Sequence, residues 1–185
     1  MLGVGSVAVG FAFRNVLENF LAGFLLLLSE PFQISDQIIV GDFEGTVENI
    51  EARATTIRTY DGRRVVIPNA SLFTEPVTVN TAFDKRRSEY SVGTGYGDDV
   101  GQAMMLILEA IKEMEGVCDD PAPDVLVAEL ADFSVNVRAR WWTDARREDV
   151  LAVKSGVVAA IKSRLLENGV DLPFPTQQIL LRNAH

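Results

Sequence analysis

The sequence predicts an α+β chain in three parts. An N-terminal apolar helix comes first, then a small five-stranded barrel-like β domain of the SH3-like (Sm-like) kind, then a C-terminal ferredoxin-like α/β sandwich. Three observations carry this reading. Residues 1–28 are almost wholly apolar and rich in Gly and Ala, residues 37–80 hold short β-rich runs broken by Gly, Asp and Pro, and from about residue 83 strand and helix patterns follow in the order β-α-β-β-α-β. The corresponding boundaries are 1–30, 31–82 and 83–182.

The first segment carries no charge before Arg14, and Arg14, Asn15, Glu18 and Asn19 separate it from the aliphatic run 21–28. Neither half reaches the roughly 20 consecutive apolar residues of a lipid-facing span. A secretory signal would need an early cation, and the start Met1-Leu2-Gly3 has none. A buried core helix is the competing reading, and glycine argues against it. Gly3, Ser6 and Gly10 recur at spacings of three and four on one helical face, and Ala8 and Ala12 share a second face. Glycine inside a helix costs about 1 kcal/mol relative to alanine, so its repetition calls for close helix–helix approach. In a ring of identical helices the Gly/Ser face of one would pack against the Ala face of the next. A third face, with Val7 and Phe11 four residues apart, would then look inward as stacked apolar constrictions. Such a pore-lining helix tolerates Arg14 and Glu18, which lipid would not. Residues 15–30 suit a helix at the membrane boundary or against a soluble domain, closed by Pro31.

From Phe32 the period changes. Residues 37–40, 45–50, 54–59 and 64–67 read as strands, with Asp61-Gly62 as the hairpin signal between the last two. Asn69 is placed to cap a short helical turn through Phe73, and a last strand covers 77–80. The second domain reads as strand 88–92, helix 98–115, strands 125–130 and 134–142, helix 147–168 and strand 178–181. Asp98 and Asp99 suit the first helix start, and Gly169 the second helix end.

Composition narrows the function classes. The 185 residues, 48% of them hydrophobic, suffice for cores in both domains, and a net charge of -9 without a basic run excludes a nucleic-acid backbone as partner. One cysteine, Cys118, allows no internal disulfide, and the one histidine, His185, is the last residue. No zinc site and no Ser-His-Asp or Cys-His arrangement can be assembled from these, so no catalytic, cofactor or metal site is expected. Residues 93–97, Gly-Thr-Gly-Tyr-Gly, lack the spacing of phosphate-binding loops, and Asp98 and Asp99 would repel a phosphate there. Asp119, Asp120 and Asp124 read as a solvated run, and of Trp141-Trp142 one indole is expected in the core.

Together these residues resemble the small-conductance mechanosensitive channel family. The Gly/Ala segment 3–13, Ala22-Gly23 with the aliphatic run to Glu30-Pro31-Phe32, Gly45-Thr46-Val47, residues 55–59, Asp61-Gly62, 66–69 and Pro173-Phe174-Pro175 carry the likeness in order. The resemblance implies a homo-oligomer, a heptamer in the family, that contacts membrane lipid and passes ions and small solutes in hypo-osmotic shock. It implies an inner-membrane location with residues after about 30 in the cytoplasm. By position, the constriction falls on Val7 and Phe11, where the family commonly has leucines. The kink glycine falls on Asn15, and Gly23 matches a second bending glycine. The family's preceding membrane helices have no counterpart in this sequence, so tension sensing is expected from residues outside it. The competing function is a soluble oligomeric vestibule or ligand-binding module without channel activity.

Overall fold

The computed structural model describes residues 2–175, with side chains described from Gly10 onward. The expected strand 178–181, His185 and the side chains of Gly3, Ser6, Val7 and Ala8 lie outside what is described. The chain folds as two compact units, Met1–Asp84 and Lys85–His185.

The first unit opens with α1 (Leu2–Ser29), 28 residues in one element, or ~42 Å of helix at 1.5 Å per residue. Arg14 and Glu18 interrupt the apolar composition without interrupting the backbone ladder, so the helix is continuous through residues 14–19. The helix stops where Pro31 removes the next N–H donor. Glu30 turns to φ +43°, and its own N–H still closes on Leu26 O at 2.9 Å.

Five antiparallel strands follow: β1 (Gln37–Val40), β2 (Phe43–Ile50), β3 (Ala54–Thr59), β4 (Arg64–Pro68) and, after the short helix α2 (Asn69–Thr74), β5 (Thr78–Val79). They pair in the order β4-β3-β2-β1-β5, so α2 joins the two edge strands. The β1–β2 hairpin turns through Gly41-Asp42, and Gly62 supplies φ +86° in the β3–β4 turn after Asp61, as its sequence signal required. A bulge between Val47 and Asn49 bends β2. Period-two alternation sends Ile38, Val40, Val47 and Ile57 to one face, where Phe32, Ile67, Leu72 and Leu26 of α1 complete the core.

Asn69 does not act as the expected side-chain cap of α2. The cap position is Pro68, which has no side-chain bond, and the fully buried Asn69 turns its amide toward the sheet instead. Its Oδ1 accepts from the Thr55 hydroxyl at 2.9 Å, its Nδ2 donates to Glu51 O at 2.7 Å, and its backbone N–H donates to Arg53 O at 3.1 Å. Two bonds of its side chain and one of its backbone thus fix Asn69 to the stretch 51–55.

The second unit comprises β6 (Lys85–Thr94), α3 (Val100–Lys112), β7 (Asp124–Leu130), β8 (Val135–Asp144) and α4 (Arg147–Glu167). The sheet order is β6-β8-β7 with antiparallel pairings throughout, so β6 and β7 run parallel with β8 inserted between them. That is the split β-α-β arrangement. One face of this sheet and one stripe of each helix form the core. Ala103, Ile107, Ala110 and Ile111 of α3 and Val153, Val157, Ile161 and Leu165 of α4 pack on Val137, Ala139 and Trp141. Trp141 is fully buried and Trp142 half-buried, the expected division. Asp99 caps α3 by accepting from Gln102 N at 3.1 Å, and Gly169 ends α4 at φ +75°. On the other face the Arg140 guanidinium forks onto Asp124, with Nε to Oδ1 at 2.8 Å.

Two outcomes follow from this packing. Asn69→Ala leaves the Thr55 hydroxyl and the Glu51 carbonyl without their partner in a buried site, which costs about 2 to 3 kcal/mol and is read as a lowered urea midpoint of the β domain. The hydrogen bonds from Arg140 hold the Asp124 carboxyl below its ordinary pKa, so the stability this pair adds is present above the usual carboxylate range and fades as pH falls through the lowered value. In a melting series from pH 7 to pH 3, Asp124→Asn should therefore approach the parent chain at the acid end, and a gap that stays constant would refute the pairing.

Candidate functional site: the N-terminal helix

α1 presents two unlike surfaces. Asn19, Ala22, Gly23 and Leu26, spaced three, one and three residues apart, form the face that packs on the β domain, with Ala22 and Leu26 3–4% exposed. Gly23 is there for closeness. A Cβ on it would stand 2.4 Å from Ala52 O and 2.5 Å from Asn69 Nδ2, so any side chain would push the helix off the anchor. Asn19 completes the junction. Its Oδ1 accepts from the backbone N–H of Ala70 at 3.0 Å, and its Nδ2 donates to Asn15 O at 2.8 Å. The first turn of α2 is therefore capped by a residue of α1, which the local pattern around Asn69 could not reveal.

The other surface is apolar and open. Phe11 is 71% exposed, Leu17 67% and Leu28 71%, and Phe13, Val16, Phe20, Leu21, Phe24 and Leu27 are exposed as well. The stretch Gly10–Ser29 is long and apolar enough to cross a membrane, and only 17% of it is buried within the chain. A core helix of a water-soluble fold has most of such a surface covered. Counting uncharged runs understates this stretch, because Arg14 and Glu18, four residues apart, fall on one stripe and leave the remaining circumference apolar.

Of the residues singled out from sequence, Gly10, Phe11, Ala12 and Asn15 are exposed and Gly23 is buried. A Cβ built on Gly10 meets nothing within 4 Å, so the close approach its face would permit is not made with any described residue. Val7, Gly3, Ser6 and Ala8 lie within the α1 backbone, outside the described side chains. α1 is a single helix through both Asn15 and Gly23. Asn19 and the loop 51–53 were missed, and their signal is tertiary: an amide aimed at a helix start 51 residues away.

Elsewhere the polar groups serve structure. Among the described residues no group of three or more His, Cys, Asp or Glu side chains could hold a metal. The loop 93–97 is closed by its own neighbours: Gly95 N and Asp171 N both donate to Asp98 Oδ2 at 3.0 Å, and the Tyr96 hydroxyl donates to Ala131 O at 2.6 Å. Its glycine N–H is thus occupied by a carboxylate where a phosphate would have to bind. The Asp61 carboxyl sits below its ordinary pKa because the Thr59 hydroxyl and the Arg63 guanidinium donate to it, which is turn chemistry.

Comparison with known proteins agrees with this architecture. The family model "Mechanosensitive ion channel, beta-domain" matches residues 15–80, and "Mechanosensitive ion channel MscS, C-terminal" matches residues 88–172. An MscS family protein of Archaeoglobus fulgidus is 36% identical over 98% of this chain, which spans 63% of that relative. The small-conductance mechanosensitive channel MscMJ of Methanocaldococcus jannaschii is 30% identical over 97% of the chain and 52% of its own length. The crystal structure of Helicobacter pylori MscS in a closed state superimposes with a TM-score of 0.91 at 29% identity, covering 99% of this chain and 72% of that one. The chain thus spans roughly half to two thirds of the curated relatives it matches. On two family models in chain order and a shared three-dimensional fold, the chain belongs to the small-conductance mechanosensitive channel (MscS) family.

Proposed function

We propose that the chain is a subunit of a homo-oligomeric membrane channel that opens under membrane tension and releases ions and small solutes in hypo-osmotic shock. The observation that carries this is α1: a helix of membrane-spanning length, held to a folded β domain by one narrow face and bare elsewhere. Apolar surface of that extent is stable only against lipid or against other helices. Copies of α1 around an axis provide the second kind of cover, with Gly3, Ser6 and Gly10 of one copy against Ala8 and Ala12 of the next. Val7 and Phe11 then form the constriction, which blocks ions while it is dry. The family relation supports seven copies, an inner-membrane location with residues after about 30 in the cytoplasm, and a role without catalysis. Asn15 and Gly23 are the positions at which the helix would change direction, Gly23 while pressed against Ala52 and Asn69.

In this scheme segment 1–30 forms the pore, and the domains 31–82 and 83–182 form the water-filled assembly beneath it. The Asn19–Ala70 and Asn69 contacts make α1 and the β domain move together, so displacement of the pore helix is transmitted to the folded part of the subunit.

Patches of membrane containing the full-length protein should show stepwise currents under suction, and their absence at lytic tension would reject the channel. Phe11→Ser, which places a hydroxyl in the narrowest ring, should raise resting solute leakage severalfold. Leakage equal to that of the parent protein would remove Phe11 from the constriction.

A further inference from the structure

Arg14 and Glu18 are the charged side chains of the stretch Gly10–Ser29. Both are exposed, and neither makes an ion pair with any described residue. They lie on one open surface of α1 with Gly10, Phe11, Leu17 and Leu21. An unpaired charge among such neighbours, at the depth of an apolar helix, is costly and calls for an opposite charge. The nearest candidates are each other, four residues apart. Yet Arg precedes Glu, the weaker order for a pair within one helix, and the side chains do not join.

We propose that Arg14 of one copy pairs with Glu18 of the adjacent copy, so that the flank of α1 carrying Gly10 and Arg14 abuts the next helix while Phe11 faces the axis. The proposal rests on the homo-oligomer put forward above. Its support is self-complementarity: base and acid sit one helical turn apart, and a guanidinium on its long stem covers ~5.4 Å along the neighbouring helix. A lipid headgroup fits less well. An anionic one would neutralise Arg14 and leave Glu18 bare, and a zwitterionic one would answer both charges without fixing a register, whereas a second copy answers both at positions set by its own helix. Pairing around a closed set of copies leaves no charge unanswered, and it sets the axial register in which neighbouring helices meet.

The test is charge exchange in the full-length protein, purified in detergent and sized by light scattering. Arg14→Glu and Glu18→Arg each place like charges together, and each should lower the assembled fraction at least tenfold. The double exchange should restore it to within twofold of the parent. Recovery in the double variant is also expected from a pair within one helix, so the two single variants are co-expressed with different tags. Recovery of a mixed assembly supports pairing between copies, because neither chain then carries an internal pair and a misfolded chain would not be rescued. Failure of the mixture beside success of the double variant overturns it in favour of an internal pair. Single variants that assemble like the parent overturn it outright. A parent protein that is itself monomeric overturns the homo-oligomer reading and the pairing with it.

Discussion

The buried amide of Asn69 is the constraint on which the first unit depends. It accepts from Thr55, donates to Glu51 O through its side chain and to Arg53 O through its backbone, and lies under Gly23 of α1. An amide with no exposure must have its bonds made, because an orphaned buried polar group costs more than a made bond contributes. That asymmetry gives the junction a single geometry. The loop 51–53 cannot shift without breaking two bonds, and α1 can rest on it only where it has no Cβ.

From this anchor follows the unusual economy of α1. A helix attached along one narrow face cannot bury the rest of its circumference in its own chain, however apolar it is. Most small domains hide such a stripe in their core, as α4 does with Val153, Val157, Ile161 and Leu165. Among the described residues α1 instead leaves Phe and Leu side chains exposed around most of its circumference. In the channel proposed above, a folded body would hold a wall whose own contacts are made with neighbours. In the second unit both helices and one face of the sheet close on a common core. Its polar loops are consumed internally, the 93–97 loop most plainly, where Asp98 occupies the N–H groups that a ligand would need.

Much of this architecture could be read from the residues. Asp61-Gly62, Asp99 and Gly169 mark a turn and helix ends by local conformational preference, which acts over a few residues and survives in any context. The alternation in β2 and β8 and the four-residue stripe of α4 set which side chains face inward, and the order of elements led to the split β-α-β unit. The departures have a common cause. Asn69 looked like a local cap because Asn commonly is one, but the sheet offered its amide two buried partners and took it. The cap of α2 then came from Asn19, far away in the chain. Likewise Arg14 and Glu18 seemed to leave neither half of the first segment long enough to span lipid, since composition is read along a line whereas a helix distributes it around a cylinder.

Local signals thus determined the element types, the hairpins and the helix ends, because each depends on residues within a turn or two of one another. Contacts between distant segments decided the rest. They made Gly23 a point of close approach to Ala52, turned Asn19 and Asn69 into the clasp between α1 and the β domain, and left Arg14 and Glu18 without an ion-pair partner among the described residues. Such facts depend on which backbone groups meet in space, and that depends on the packing of the whole unit.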